Sequence, residues 1–270
     1  MSTKYIVDPS DNLPAMEVGE WSPFKHELLA HYIDAARGAR RKFPDRAFVD
    51  VFCGPGRICV RGTNEFKDGG AMAACRIAAV KDVAFTSVHI SDMESSSVSH
   101  CSSRLTAMKV PVSELTGSAE SCAPQVARKL NPYGLHLVYV DPFNMEDMPF
   151  SVFEPFLSLK HVDFLVNFST NDLQRNLDTE LSKQSSYLDK FAPGWRTHVS
   201  TQSKATMRGR FFEYWSGLFE KHGFRKPPHM PEMKNSKNAP LYRLVLFSRH
   251  DLAERLWNDI SGAHDAPELF

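Results

Sequence analysis

Several things are missing from this chain of 270 residues. No stretch approaches the roughly eighteen consecutive apolar residues of a membrane-crossing helix. The opening residues carry Asp8, Asp11, Glu17, Glu20 and Glu27 where a secretory leader would be basic and then greasy. The expectation is a soluble, cytoplasmic protein with no membrane contact. There is no Cys-x-x-Cys pair and no His–Cys spacing of the zinc-binding kind. The five cysteines, Cys53, Cys59, Cys75, Cys101 and Cys122, stand apart, which argues against a disulfide framework or a structural metal and for reduced thiols. Net charge is missing too, since 32 Lys and Arg offset 32 Asp and Glu, so the molecule as a whole does not draw a polyanion. No internal repeat and no long low-complexity linker divides the chain.

What remains is the composition of a folded domain. Apolar residues make up 42% and charged ones 24%, enough to bury a sizeable core and incompatible with a disordered tail. Short runs rich in Val, Leu, Phe and Tyr predict strands over Ala47 to Phe52, Phe85 to Ile90, His136 to Val140, Phe164 to Asn167 and Tyr242 to Phe247. Helical patterns fall between and around them, over Lys25 to Arg41 behind Ser22-Pro23, Gly70 to Val80, Ser121 to Leu130, Asp172 to Lys183, Arg208 to His222 and Asp251 to Ile260. Strands alternating with helices imply an α/β fold, a mostly parallel sheet covered on both faces. The expected organisation is an N-terminal helical segment over residues 1–44, one α/β domain over 45–260 and a C-terminal tail over 261–270. Within the domain, about 195–240 reads as a basic insertion. Between Trp195 and Asn238 nine bases face three acids, and Pro227 to Pro240 has the composition of an exposed loop.

Three strand ends carry chemistry. The first is Phe48-Val49-Asp50-Val51-Phe52-Cys53-Gly54-Pro55-Gly56-Arg57, a buried strand running into closely spaced glycines. A side chain at Gly54 or Gly56 would block a nucleotide-type ligand from the backbone, although Gly-Pro-Gly is also an ordinary surface turn. The third glycine of a dinucleotide fingerprint is absent, and Ile58 to Lys67 intervenes before Asp68-Gly69-Gly70, which serves a pyrophosphate poorly. The second is Val88-His89-Ile90-Ser91-Asp92-Met93. Its carboxylate suits both hydroxyls of a ribose, and would equally suit the cap of the next helix. The third is Leu137-Val138-Tyr139-Val140-Asp141-Pro142-Phe143-Asn144. Here Pro142 holds Asp141 extended and sets a carboxylate beside an aromatic ring.

These residues resemble a family. Val49-Asp50-Val51-Phe52-Cys53-Gly54-Pro55-Gly56 is similar to motif I of class I S-adenosylmethionine-dependent methyltransferases, with Asp92 where their ribose-binding acid stands. Asp141-Pro142-Phe143 is similar to the Asp-Pro-Pro-aromatic motif of enzymes that methylate exocyclic base amines. A closer resemblance is to the three-Cys-motif partner protein family. It is carried by Trp21 with Lys25, Asp68-Gly69-Gly70, Val140-Asp141-Pro142-Phe143, Asn167-Phe168 with Asn171-Asp172 and Arg175-Asn176, and Leu241-Tyr242-Arg243-Leu244 before Ser248. It runs from about Trp21 to Trp257. Two positions depart from it: Asn144 replaces a glycine, and Gly117-Ser118-Ala119 lacks the usual acid, for which Glu120 is a substitute.

The resemblance implies a Rossmann-like class I methyltransferase fold with an antiparallel last strand, and S-adenosylmethionine as cofactor. It implies a cofactor site from Asp50, Phe52, Gly54, Gly56, Asp92, Met93, Ser118 and Ala119, and a catalytic set of Asp141, Pro142, Phe143 and Asn144. Asp141 and Asn144 would hold an acceptor amine and Phe143 would stack on a planar ring. Lys25, Asn167 and Arg175 are candidate substrate contacts. Lys25 reads equally as a solvated helix residue, and Asp172 with Arg175 reads better as a helix-start salt bridge. The expected activity is methyl transfer to nitrogen of a nucleobase-containing substrate, nucleic acid or nucleoside. Two alternatives stay open: an S-adenosylmethionine-using enzyme acting on a small metabolite, and a non-catalytic module that binds a protein partner of the three-Cys-motif type. Around the basic stretch, Phe211, Phe212, Trp215, Leu218 and Phe219 recur at helical spacing and read as core, which leaves charge alone as a substrate hint.

Overall fold

A computed structural model describes residues 4–199, 204–235 and 238–265. In chain order the elements are β1 (Tyr5–Val7), β2 (Pro14–Val18), α1 (Ser22–Ala35), α2 (Arg37–Arg40), β3 (Arg46–Asp50), β4 (Arg57–Val60), β5 (Phe66–Asp68), α3 (Gly70–Val80), β6 (Ser87–Asp92) and α4 (Ser95–Ala107). There follow β7 (Val112–Thr116), α5 (Ala119–Ala127), β8 (Leu135–Val140), β9 (His161–Phe168), α6 (Thr170–Ser182), α7 (Tyr187–Phe191), α8 (Trp195–His198), α9 (Lys204–Glu220), β10 (Glu232–Lys234), β11 (Pro240–Phe247) and α10 (Asp251–Asp265).

Seven strands make the main sheet in the order β10-β11-β9-β8-β3-β6-β7. Neighbours from β9 to β7 pair in parallel, while β11 runs antiparallel to both β9 and β10. That order, with a reversed strand inserted near one edge, is the Rossmann-like sheet of the class I methyltransferase fold. Strand alternation sends neighbouring residues to opposite faces. Phe48, Ile90, Tyr139 and Leu244 pack under α1, α3 and α10, whereas Val49, Val140, Phe164 and Phe247 face the aromatic layer on the other side. Phe211, Trp215 and Phe219, one turn apart on α9, are fully buried there, and Phe219 stacks on Phe247 with ring centroids 3.9 Å apart. Phe211, Phe212, Trp215, Leu218 and Phe219 are therefore core, as their spacing predicts.

Four expectations need correction. Residues 1–44 are not simply helical: β1 and β2 precede α1 and join β4 and β5 in a second sheet, β1-β2-β4-β5. Short alternating strands beside polar turns gave little periodic signal there. Residues 195–240 are not an insertion, because α9 covers one face of the main sheet and β10 forms its edge. The interval after Gly56 is a β-hairpin, β4–β5, that returns the chain to its start: Gly69 N–H donates to Gly56 O at 2.8 Å, and α3 begins at the next residue. The proposed tail begins within α10, and residues 266–270 lie outside the described part. Among the described residues no helix is long and apolar enough to cross a membrane.

The small sheet is fastened to the main one by buried charge. Arg104 on α4 is 5% exposed. Its guanidinium donates to both carboxylate oxygens of Asp11 (2.7 and 2.9 Å) and to the carbonyls of Pro14 (2.8 Å) and Pro55 (2.5 Å). A planar fork of donors suits such a junction better than a lysine would. Arg57 at the start of β4 bridges Asp8 and Asp68, each at 2.9 Å.

Candidate active site

In a doubly wound sheet, ligands lie outside the carboxyl ends of the strands where the strand order reverses. Here β3 is that switch point, with β8 on one side and β6 on the other. A crevice of about 630 Å³ opens above it, within the range of ligand pockets. Its lining includes Asp50, Phe52, Gly54, Gly56, Asp92, Met93, Ser118 and Ala119, and also Asp141, Pro142, Phe143, Lys25 and Asn167. Two candidates are not brought there. Arg175 is exposed on α6 and does not line the crevice. Asn144 lies outside the lining, where its Oδ1 accepts from Asp147 N–H at 3.1 Å and closes a local turn. The described bases of the 195–238 stretch also lie outside it. Several are paired, Arg196 with Asp189, Arg225 with Asp251 and Lys226 with Glu213 and Glu220.

The glycine turn is stitched to β6. Cys53 N–H donates to Ser91 O at 3.0 Å and Gly54 N–H to Asp92 Oδ2 at 3.0 Å, while Asp92 Oδ1 accepts from Glu94 N–H. Asp92 thus holds the turn and caps the segment leading into α4, and its carboxylate keeps further lone pairs for a ligand. Gly54 and Gly56 have φ of +51° and +83°, a backbone region that side chains disfavour. A Cβ at Gly54 would meet Met16 Cε at 3.0 Å, and one at Gly56 would meet Cys101 Sγ at 3.1 Å and its Cα at 3.2 Å. Glycine is needed here for conformation and close packing, a stronger constraint than clearance for a ligand alone. At the tip of β7, Ser118 Oγ accepts from Ser121 N–H at 3.2 Å and caps α5.

Asp50 closes the inner end of the crevice. It is 1% exposed, Phe52 N–H donates to its Oδ1 at 3.1 Å, and a Cβ on Gly70 would sit 3.1 Å from its Oδ2. Burial pushes its carboxyl up, the Phe52 N–H opposes, and the Asp141 and Asp92 charges add, leaving it at about 8. At neutral pH it carries a proton and can donate.

Asp141 is governed oppositely. Lys25 Nζ (2.8 Å) and Asn167 Nδ2 (2.7 Å) donate to its Oδ1, Tyr139 OH donates to Oδ2 at 3.1 Å, and His26 Nε2 stands 3.7 Å from Oδ2. Burial raises this carboxyl, but the Lys25 ammonium and His26 outweigh it and hold the group well below the usual carboxylate range. Lys25 is therefore no solvated helix residue: it lies 5.5 Å from the Tyr242 ring centroid, and Tyr242 OH donates to Trp21 O. Tyr139 and Tyr242 stand in the quoted stretches without a role there, and the motifs do not include His26 or Met16, which also line the crevice. His26 follows Lys25 on α1, and no spacing in the sequence ties either of them to Asp141. Asp172 is a loop anchor, accepting from Met145 N–H at 2.7 Å.

No protein-family profile matches the chain and no curated relative does. Among solved structures it is similar to the O-methyltransferase TomG from Streptomyces achromogenes in complex with S-adenosylmethionine, at 14% identity over 84% of this chain and 79% of that one, TM-score 0.48. Another is the magnesium protoporphyrin IX methyltransferase ChlM from Synechocystis PCC 6803 with S-adenosylmethionine bound, at 11% identity over 84% and 81%, TM-score 0.43. A third is an rRNA methylase from Streptococcus thermophilus, at 13% identity over 84% and 94%, TM-score 0.41.

Proposed function

We propose that the chain is a cytoplasmic S-adenosylmethionine-dependent methyltransferase acting at nitrogen on a nucleobase-containing substrate. One observation carries the reading: the ends of β3, β6, β7, β8 and β9 bring Asp50, Gly54, Asp92, Ser118, Asp141 and Asn167 to one crevice at the sheet's switch point. The donor set fits the cofactor. Asp92 offers a ribose a carboxylate, and the bare turn at Gly54 to Gly56 runs along the same edge. The bound cofactor supplies an electrophilic methyl group on a sulfonium. Asp141, fixed by Lys25 and Asn167, orients an acceptor N–H so that the nitrogen lone pair faces that group. Phe143, 69% exposed at the mouth, offers a ring face for stacking. Trp21 and the β1-β2-β4-β5 sheet help to exclude water.

The test is calorimetric titration with S-adenosylmethionine, followed by mass analysis of nucleosides and oligonucleotides after incubation. The reading expects saturable binding, a product heavier by one methylene, and loss of product in Asp141→Asn. Absence of binding by folded protein would refute it. A second reading, a non-catalytic partner module of the three-Cys-motif type, is favoured by one feature: Asp141 Oδ1 already accepts from both Lys25 and Asn167. That reading expects Asp141→Asn to leave the protein's cellular role intact.

A further inference from the structure

The lining of the crevice holds more carboxylates than cations. Around Phe143 the rim presents three exposed carboxylates, Glu120, Glu146 and Asp147. Ser151 Oγ donates to Glu120 at 2.6 Å and orients it. The cations in the lining are largely committed: Lys25 to Asp141 (2.8 Å), Arg57 to Asp8 and Asp68, and Arg61 to Glu17 (3.2 Å). Lys190 is the lining cation that forms no ion pair among the described residues. A phosphate entering past Phe143 would meet three carboxylate acceptors against one unpaired cation, Lys190.

A separate feature points to what does enter. Asn167 lines the crevice at 6% exposure, and its Oδ1 has no hydrogen-bond partner. The amide orientation is set, because Asp141 Oδ1 can accept only from the Nδ2 side. A buried carbonyl without a donor is costly, so a ligand that brings an N–H or O–H to Asn167 would relieve that cost. The stacking face at Phe143 selects a planar ligand, and the carboxylate rim selects one that is neutral or cationic.

We infer that the acceptor is a phosphate-free nitrogen heterocycle of nucleobase or nucleoside size, one of whose N–H groups is received by Asn167 Oδ1, with Glu120, Glu146 and Asp147 turning phosphate away. The inference rests on the methyltransferase reading and narrows its substrate from nucleic acid or nucleoside to the latter. Phosphorylated nucleotides and nucleic acid strands are disfavoured by the same rim.

The test uses the full chain saturated with S-adenosylhomocysteine, so that added nucleosides cannot occupy the cofactor half. Adenosine and cytidine, their 5′-monophosphates and a short single-stranded oligonucleotide are titrated by calorimetry. Adenosine or cytidine should bind roughly tenfold more tightly than its monophosphate, the scale set by Coulomb repulsion from the rim screened at physiological salt. In the pair Glu146→Gln, Asp147→Asn that ratio should shrink towards one, because two of the three rim charges are removed while the stacking face and Asn167 stay. Tighter binding of the monophosphate or the strand would overturn the inference. So would failure of both nucleosides to bind protein that holds S-adenosylhomocysteine normally. Failure to bind S-adenosylhomocysteine itself would overturn the methyltransferase reading, and this inference with it.

Discussion

Replacing Asp50 by Asn should make the protein more stable at neutral pH while weakening cofactor binding. Asp50 is buried and titrates near 8, against 3.8 for an ordinary aspartate. Between those values the folded state holds a proton that the unfolded state has lost. Stability therefore falls as pH rises through this window, the reverse of the usual salt-bridged carboxylate. The slope for one such group is about 1.4 kcal/mol per pH unit, so about 3 kcal/mol separates about pH 5 from about pH 7.5. Asn is isosteric and does not titrate. Denaturant unfolding of both proteins across that range should show a pH-dependent difference of this order, with Asp50→Asn gaining on the wild type as pH rises. Equal slopes in the two proteins would refute the reasoning, since they would mean that Asp50 is already ionised in the folded state. On the methyltransferase reading, a cationic cofactor bound beside Asp50 would favour its charged form and release a proton near neutral pH. Affinity for S-adenosylmethionine should then rise with pH up to about 8 and level off above it.

Other substitutions test separate parts of the frame. Gly56→Ala must adopt φ near +83° and crowd Cys101 on α4, and should cost about 2–4 kcal/mol by thermal or denaturant unfolding. Lys25→Met leaves Asp141 buried with its first cation gone. The carboxyl should titrate higher, stability should drop by about 3–5 kcal/mol, and activity should be lost on the acid side before the wild type's. Arg104→Ala removes the fork that joins Asp11, Pro14 and Pro55 and should release the β1-β2 segment to rapid hydrogen exchange, with α3 and α9 still protected. Uniform loss of protection would contradict that assignment.

The sheet was legible where strands are buried on both faces. Phe48-Val49 and Leu137-Val138-Tyr139-Val140 are continuous apolar runs, and their ends at Asp50 and Asp141 converge with Asp92 at the end of β6 as the topology requires. α4 was not legible, because six of the nine residues from Ser95 to Ser103 are Ser and the helix turns only Val98, Cys101, Arg104 and Leu105 inward among its longer side chains. The hairpin β4–β5 hid the reunion of Gly56 with Gly69 and Gly70, so a glycine loop split by the hairpin reads in sequence as two unrelated turns. Lys25 could not be placed by spacing: 116 residues separate it from Asp141, and only the tertiary fold brings an N-terminal helix over the far ends of the strands. Charge counting misled in the 195–238 stretch, where Asp189 and Asp251, outside the counted segment, neutralise Arg196 and Arg225.

The most direct measurement is the crystal structure of the protein grown or soaked with S-adenosylmethionine. The account predicts density along the edge from Asp92 past Gly54 to Asp50, in the crevice shared with Asp141 and Asn167. An unfilled crevice at saturating cofactor, or density at another place on the molecule, would contradict it.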